Sequence, residues 1–147
     1  MPGKDRQQSV ERHLQRLRVL GGIASEITAE LDLPKVLDTV VKRGLELSEL
    51  DEGGVVLHDA ATGEWIPEVA VGYEQPFPRT PIPLGMGVTG EVIAHRRIVA
   101  IEDYQNFPRA IPRFLELGVR SVIGTPIVFQ GRLIGVLVLE TRRPGRV

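Results

Sequence analysis

Apolar residues recur at helical spacing from Val10 to Leu31, through Leu14, Leu17, Leu20 or Gly21, Ala24 and Ile27, and predict a first helix. Asp32-Leu33-Pro34 restarts a helix with proline in its opening turn. Val36, Leu37, Val40, Val41 and Leu45 then give that second helix one broad apolar face, which should lie on a sheet. A strand is expected from Gly54 to His58, a turn over Asp59-Ala60-Ala61-Thr62-Gly63, and a returning strand from Glu64 to Val71. Gln75 to Pro83 is too proline-rich for regular structure.

Beyond it the pattern predicts a short helix over Val88–His95, a strand over Arg97–Glu102, a loop over Asp103–Arg109, and a brief helix over Pro112–Leu117 closed by Gly118. The clearest signal comes last: Val122–Phe129 and Arg132–Glu140 flank the two-residue turn Gln130-Gly131, the pattern of a β-hairpin. Leu133, Ile134, Val136, Leu137, Val138 and Leu139 leave almost no polar face, so this strand should be covered on both sides. Helices can cover one side. Residues 73–120 must then cover the other, as a lobe over the sheet that leaves a concave pocket.

The stretch Gly85-Met86-Gly87-Val88-Thr89-Gly90-Glu91-Val92 has the G-x-G-x-x-G spacing of phosphate-cradling loops. The chemistry does not match the spacing. Glu91 stands where a P-loop carries lysine, and Val92 where it carries the magnesium-binding hydroxyl. Val99-Ala100-Ile101 is followed by Glu102 and not by the lysine of a kinase strand, and no H-R-D or D-F-G occurs. Pro81 and Pro83 fall where a dinucleotide fold needs a strand, and no acidic ribose ligand stands near Ile111. The glycines are therefore expected to make a tight turn into a short helix, with Val88 and Val92 on one face and Glu91 in the first turn, favoured there by the helix dipole.

Composition narrows the classes further. A chain of 147 residues, 42% apolar and 25% charged, suits one domain with a sizeable core. Its net charge of −1 supplies no field toward nucleic acid or an anionic membrane. The absence of cysteine excludes disulfides, thiolate zinc sites and thiol nucleophiles. No apolar run has the length of a membrane span and no signal-peptide core opens the chain, so a cytoplasmic location is expected. There is no G-x-S-x-G, and His13, His58 and His95 have no matched serine. The carboxylate neighbours Asp51-Glu52 and Glu102-Asp103 are expected to point apart. No catalytic set emerges, and no enzyme activity is expected.

The wording of Leu84–Glu91 (LGMGVTGE), Ile98–Tyr104 (IVAIEDY) and Leu117–Leu139 (LGVRSVIGTPIVFQGRLIGVLVL) resembles GAF domains, most closely those of bacterial sensor histidine kinases. The resemblance covers about residues 18–141, preceded by a helical extension over residues 1–17 and followed by a tail over 142–147. It implies an α+β fold in α/β/α layers: an antiparallel sheet of about five or six strands, helices on one face and a ligand lobe on the other. It also implies a non-catalytic sensor of bacterial two-component signalling that binds a small molecule, forms homodimers through flanking helices, and passes its state to an output domain such as a kinase. The alternative is a ligand-free dimerisation and scaffold module with a packed lobe. The chain stops soon after the last strand, so it is either a fragment of a longer regulator or a domain acting alone.

Family wording identifies no cofactor. Asn106 precedes Phe107 where cyclic-nucleotide GAF domains carry lysine, and Phe114 is followed by no Asp-Glu pair. The D-I-P motif and bilin-anchoring cysteine of phytochromes are absent. The family's methionine-sulfoxide reductases use cysteines, which this chain lacks, and a haem sensor would have only His95 as axial ligand. Candidate ligand contacts are Thr89, Asp103, Tyr104, Arg120, Ser121 and Thr125, the last two if the polar positions of their strand face the chamber. Each has a structural alternative: Asp103 can cap its own backbone, Arg120 can pair with Glu116, and Tyr104, Phe107, Phe114, Trp65 and Met86 can fill the core. The expected dimer interface is Leu14, Leu17 and Ala24, on the first helix. Neither nucleic acid nor membrane is expected as a partner, and no metal site is expected.

Overall fold

Leu33–Ser48 form the first described helix, α1. The computed structural model describes residues 33–73 and 78–143; the helix expected over Val10–Leu31, with Leu14, Leu17 and Ala24, lies outside them. The chain divides into two compact units, Met1–Val36 and Leu37–Val147. The described part of the first is the opening turn of α1. The rest of α1, the sheet and the cover on its other face all belong to the second.

α1 ends where Glu49 turns left-handed at φ 60°, its N–H still donating to the Leu45 carbonyl at 2.9 Å. The apolar face is narrower than the expected five residues. Val41 is fully buried and packs with Leu37 and Leu45 onto the sheet, whereas Val40 is 42% exposed. Helical geometry carries Val40 too far round the cylinder to reach the sheet. Gly44 lets the helix approach closely, since a Cβ there would lie 3.2 Å from the Leu139 side chain.

The five strands are β1 (Glu52–His58), β2 (Trp65–Val71), β3 (Val99–Ile101), β4 (Ser121–Phe129) and β5 (Arg132–Thr141). They form one sheet in the order β2-β1-β5-β4-β3, and every pairing is antiparallel. The order places β5, the most apolar strand, at the centre. The β4–β5 turn carries positive φ at both Gln130 (51°) and Gly131 (75°), the backbone that matches the twist of a tight hairpin. Pro67 sits in the edge strand β2 and Pro126 lies past Gly124, the last β4 residue paired with β3, so neither interrupts a doubly paired position. β1 begins two residues earlier than the pattern suggests because Glu52 and Gly53 continue the ladder opposite Glu140 and Leu139. β3 keeps only three of the six residues expected of it.

Alternation along β5 sorts the core into two. Leu137 and Leu139 join Val41, Leu50 and Val55 on the α1 side, while Val136 and Val138 join the cluster on the other. Burying aliphatic side chains of this size contributes roughly 1.5–3 kcal/mol each.

The second face is covered by α2 (Gly87–His95), a 3₁₀ turn (Tyr104–Asn106) inside the expected loop, and α3 (Pro112–Leu117), closed by Gly118 at φ 87°. α2 seats on β4 through Val88 and Val92: a Cβ on Gly124 would meet both at 2.8 Å. The glycine-rich stretch is a packing device. A Cβ on Gly90 would lie 2.5 Å from the Gly85 carbonyl carbon, and Gly90 N–H donates to the Met86 carbonyl at 2.9 Å. Glu91, expected in the first turn, falls in the second because α2 starts at Gly87. There it forms an ion pair with Arg109 and lies 3.2 Å from His95 Nε2, which leaves its carboxylate holding the lobe together.

Candidate functional site

The lobe is pinned over the sheet by hydrogen bonds at a few points. Ile82 N–H donates to the Trp65 carbonyl of β2, Gly87 N–H to the Arg109 carbonyl, and Tyr104 N–H to the Arg120 carbonyl, each at 2.8 Å. Inside the lobe the Tyr104 hydroxyl accepts the buried Ile111 N–H at 2.9 Å, and burial raises the tyrosine's pKa above its ordinary value. Between these anchors and the sheet lies a cavity of about 50 Å³. Its floor includes Val56, Val122 and Val138 from three strands, and its roof includes Ile82, Val88, Thr89, Tyr104, Ile111 and Phe114. The cavity is apolar with a few polar groups turned into it, the usual make-up of a ligand site, and its volume exceeds the roughly 10–15 Å³ that a single water needs.

The structure separates the candidate contacts. Thr89, buried at 3% exposure, and Tyr104 line the cavity. Asp103 is exposed and accepts from Asn106 Nδ2 at 2.7 Å, and Arg120 is also exposed; neither lines the cavity. Ser121 and Thr125 do not face it either. Gly124 meets α2 and Val122 lines the cavity, so alternation sends Ser121, Ile123 and Thr125 toward α1, where Ile123 is indeed packed. The Ser121 hydroxyl is satisfied by donating to the Glu102 carbonyl at 2.9 Å. Among the described residues no cluster of three metal-ligating side chains exists. His95 is half exposed beside Glu91 and is not part of the cavity wall.

One lining residue escapes a reading of the sequence. Glu140, at the end of β5, is 3% exposed, and its Oε1 has no hydrogen-bond partner. It is the only charged residue among the described residues lining the cavity. Directly across β1 stands Glu52, equally buried, which takes the Arg142 guanidinium on both oxygens at 2.9 and 3.0 Å. Burial, then the facing Glu52, push the Glu140 carboxyl up to about 8, against a smaller opposing pull from Arg142. A signal is present in the letters: an acidic residue in phase with Val136 and Val138 on the covered side of an otherwise apolar strand.

A five-stranded antiparallel sheet with a long helix packed on one face and a lobed, hollow cover on the other defines a class of small α+β domain. The GAF domain model matches residues 32–146, and the chain belongs to the GAF domain family. Among solved structures it is similar to the free methionine-R-sulfoxide reductase of Neisseria meningitidis, determined with its substrate, at 27% identity and a TM-score of 0.66 over 84% of this chain and 71% of that one. It is also similar to the GAF domain of an Acinetobacter phosphoenolpyruvate-protein phosphotransferase, at 22% identity and TM-score 0.64 over 89% and 75%. A domain of a two-component sensor histidine kinase from Sinorhizobium meliloti matches at 17% identity and TM-score 0.58 over 78% and 76%. No curated protein matches the sequence.

Proposed function

We propose that this GAF domain is a non-catalytic sensor of bacterial signal transduction, holding a small molecule between sheet and lobe. The observation that carries the reading is the cavity, with Tyr73, Thr89, Tyr104 and Glu140 on its otherwise apolar wall. Ligand binding would favour one arrangement of the flanking helices over another and so bias an output domain such as a kinase. In this reading the chain works in the cytoplasm as a homodimer, through Leu14, Leu17 and Ala24. Sulfoxide reduction through a thiol, the chemistry nearest to hand given the reductase likeness, has no nucleophile in a chain without cysteine.

A thermal-shift panel of nucleotides, haem, bilins and small metabolites tests the sensor reading. A compound at 100 times its Kd stabilises the fold by about 2.7 kcal/mol. A flat response across the panel would favour a second reading, a scaffold whose lobe is essentially packed, which the modest volume of about 50 Å³ supports. Leu17→Glu tests the dimer by sedimentation: an unchanged dimer would remove that helix from the interface.

A further inference from the structure

We infer that the cavity is a site for a small primary ammonium, with its N–H donors on the Glu140 carboxylate and its hydrocarbon part against Val56, Val122 and Val138. This rests on the sensor reading and names the chemistry of its ligand.

Five charged side chains gather at the end of β5: Asp51 and Arg143, which pair with each other, Glu52 from β1, Glu140 from β5, and Arg142 just beyond it. Arg142 is committed to Glu52 through two hydrogen bonds. Like charges directly opposite on neighbouring strands destabilise a sheet, and Glu52 and Glu140 are register partners. One negative charge is therefore left over, and it belongs to the residue that faces the cavity with an unpartnered Oε1. A buried carboxylate in that position must either keep its proton or take a cation.

The rest of the wall decides which ligands qualify. No lysine, arginine or histidine is among the described residues lining it, so an anion would meet no opposite charge, and the carboxylate of an amino-acid zwitterion none either. The Tyr104 oxygen already accepts the Ile111 N–H, and Thr89 and Tyr73 supply the other side-chain hydroxyls of the wall. An ammonium supplies three donors where acceptors are in excess. A cavity of about 50 Å³ admits a ligand of a few heavy atoms, and so few atoms bind no tighter than about the millimolar range.

The proton balance gives the site a signature. With its carboxyl pushed up to about 8, vacant Glu140 holds a proton at neutral pH, and an arriving ammonium displaces it to solvent. Affinity then rises with pH until Glu140 is ionised in the vacant site, and falls only where the amine itself loses its proton.

The experiment titrates the full chain with ethylammonium chloride, ethanol and sodium acetate at matched ionic strength, following thermal stability and the ¹³C resonance of the Glu140 carboxyl across pH. Ethylammonium is expected to lower the Glu140 midpoint by at least one pH unit, and Glu140→Gln to weaken its binding at least tenfold. An equal response in Glu140→Gln, or a Glu140 midpoint unmoved in the wild type, would overturn the inference, and the second readout needs no variant to fold. If ethanol or acetate stabilises the wild type as much as ethylammonium does, the ammonium assignment falls while the sensor reading stands. If nothing in the wider panel binds, both fall.

Discussion

The two faces of the sheet are covered by different means. On the α1 side one long helix lays Leu37, Val41 and Leu45 on Leu139 and Val55, and Gly44 brings the backbone within van der Waals reach of the strand. On the lobe side, short helices and loops are held at separate points, by Gly124 under Val88 and Val92, by the Tyr104–Ile111 hydrogen bond and by the Glu91–Arg109 ion pair. A continuous helix fills its groove with one periodic row of side chains. A cover pinned at points leaves space between the pins, and there the cavity and the buried Glu140 are found. The same strand, β5, serves both: its odd residues build a solid core and its even residues floor a hollow one.

Neighbouring truncations on that strand test the contrast most strongly. Leu139→Ala should cost roughly 2–5 kcal/mol, because a packed leucine leaves a new cavity. Val138→Ala, one residue away on the hollow face, should cost only about 1–2 kcal/mol, since part of its surface already borders empty space. Equal losses in urea denaturation would mean the lobe side is as tightly filled as the helix side. A comparable effect is expected from Tyr104→Phe, which leaves the buried Ile111 N–H without an acceptor at about 1–3 kcal/mol. The same variant should speed amide exchange around Ile111 while leaving exchange in α1 unchanged.

The most specific effect concerns pH. Glu140 keeps its proton in the fold up to about 8 against an ordinary 4.5. The folded state therefore binds more protons than the unfolded chain between those values, and stability falls as pH rises through that window, at most by about 1.4 kcal/mol per pH unit from this one group. The contribution is fully present below the unfolded pKa and gone above the folded one. Glu140→Gln should flatten that part of the profile, gaining on the wild type toward alkaline pH. Parallel wild-type and variant curves would show that Glu140 ionises normally.

Most of the architecture can be read from periodicity. The terminal hairpin, α2, α3 with its Gly118 stop, and the need for a second cover over β5 all come from local pattern and turn chemistry. The orientation of β4 does not. With Ser121 and Thr125 alternating with Val122 and Gly124, the letters give two faces but not which one looks at the lobe. That is settled by Gly124, whose missing side chain admits α2, and by Ser121 finding the Glu102 carbonyl nineteen residues back in the chain. Glu140 is only half legible for a similar reason: its phase with Val136 and Val138 is in the letters, but its burial depends on register with Glu52, eighty-eight positions earlier, and on how Arg142 is shared. Glu91 lies one turn further into α2 than the pattern suggests, because glycine at a helix start blurs where the helix begins.

Xenon under pressure in a crystal of the domain tests the hollow cover most directly, because a dry apolar cavity binds xenon and a packed core does not. The account predicts xenon density among Val56, Ile111, Phe114 and Val138, and none between α1 and the sheet. A lobe that takes up no xenon, with those four side chains closed upon one another, would contradict it.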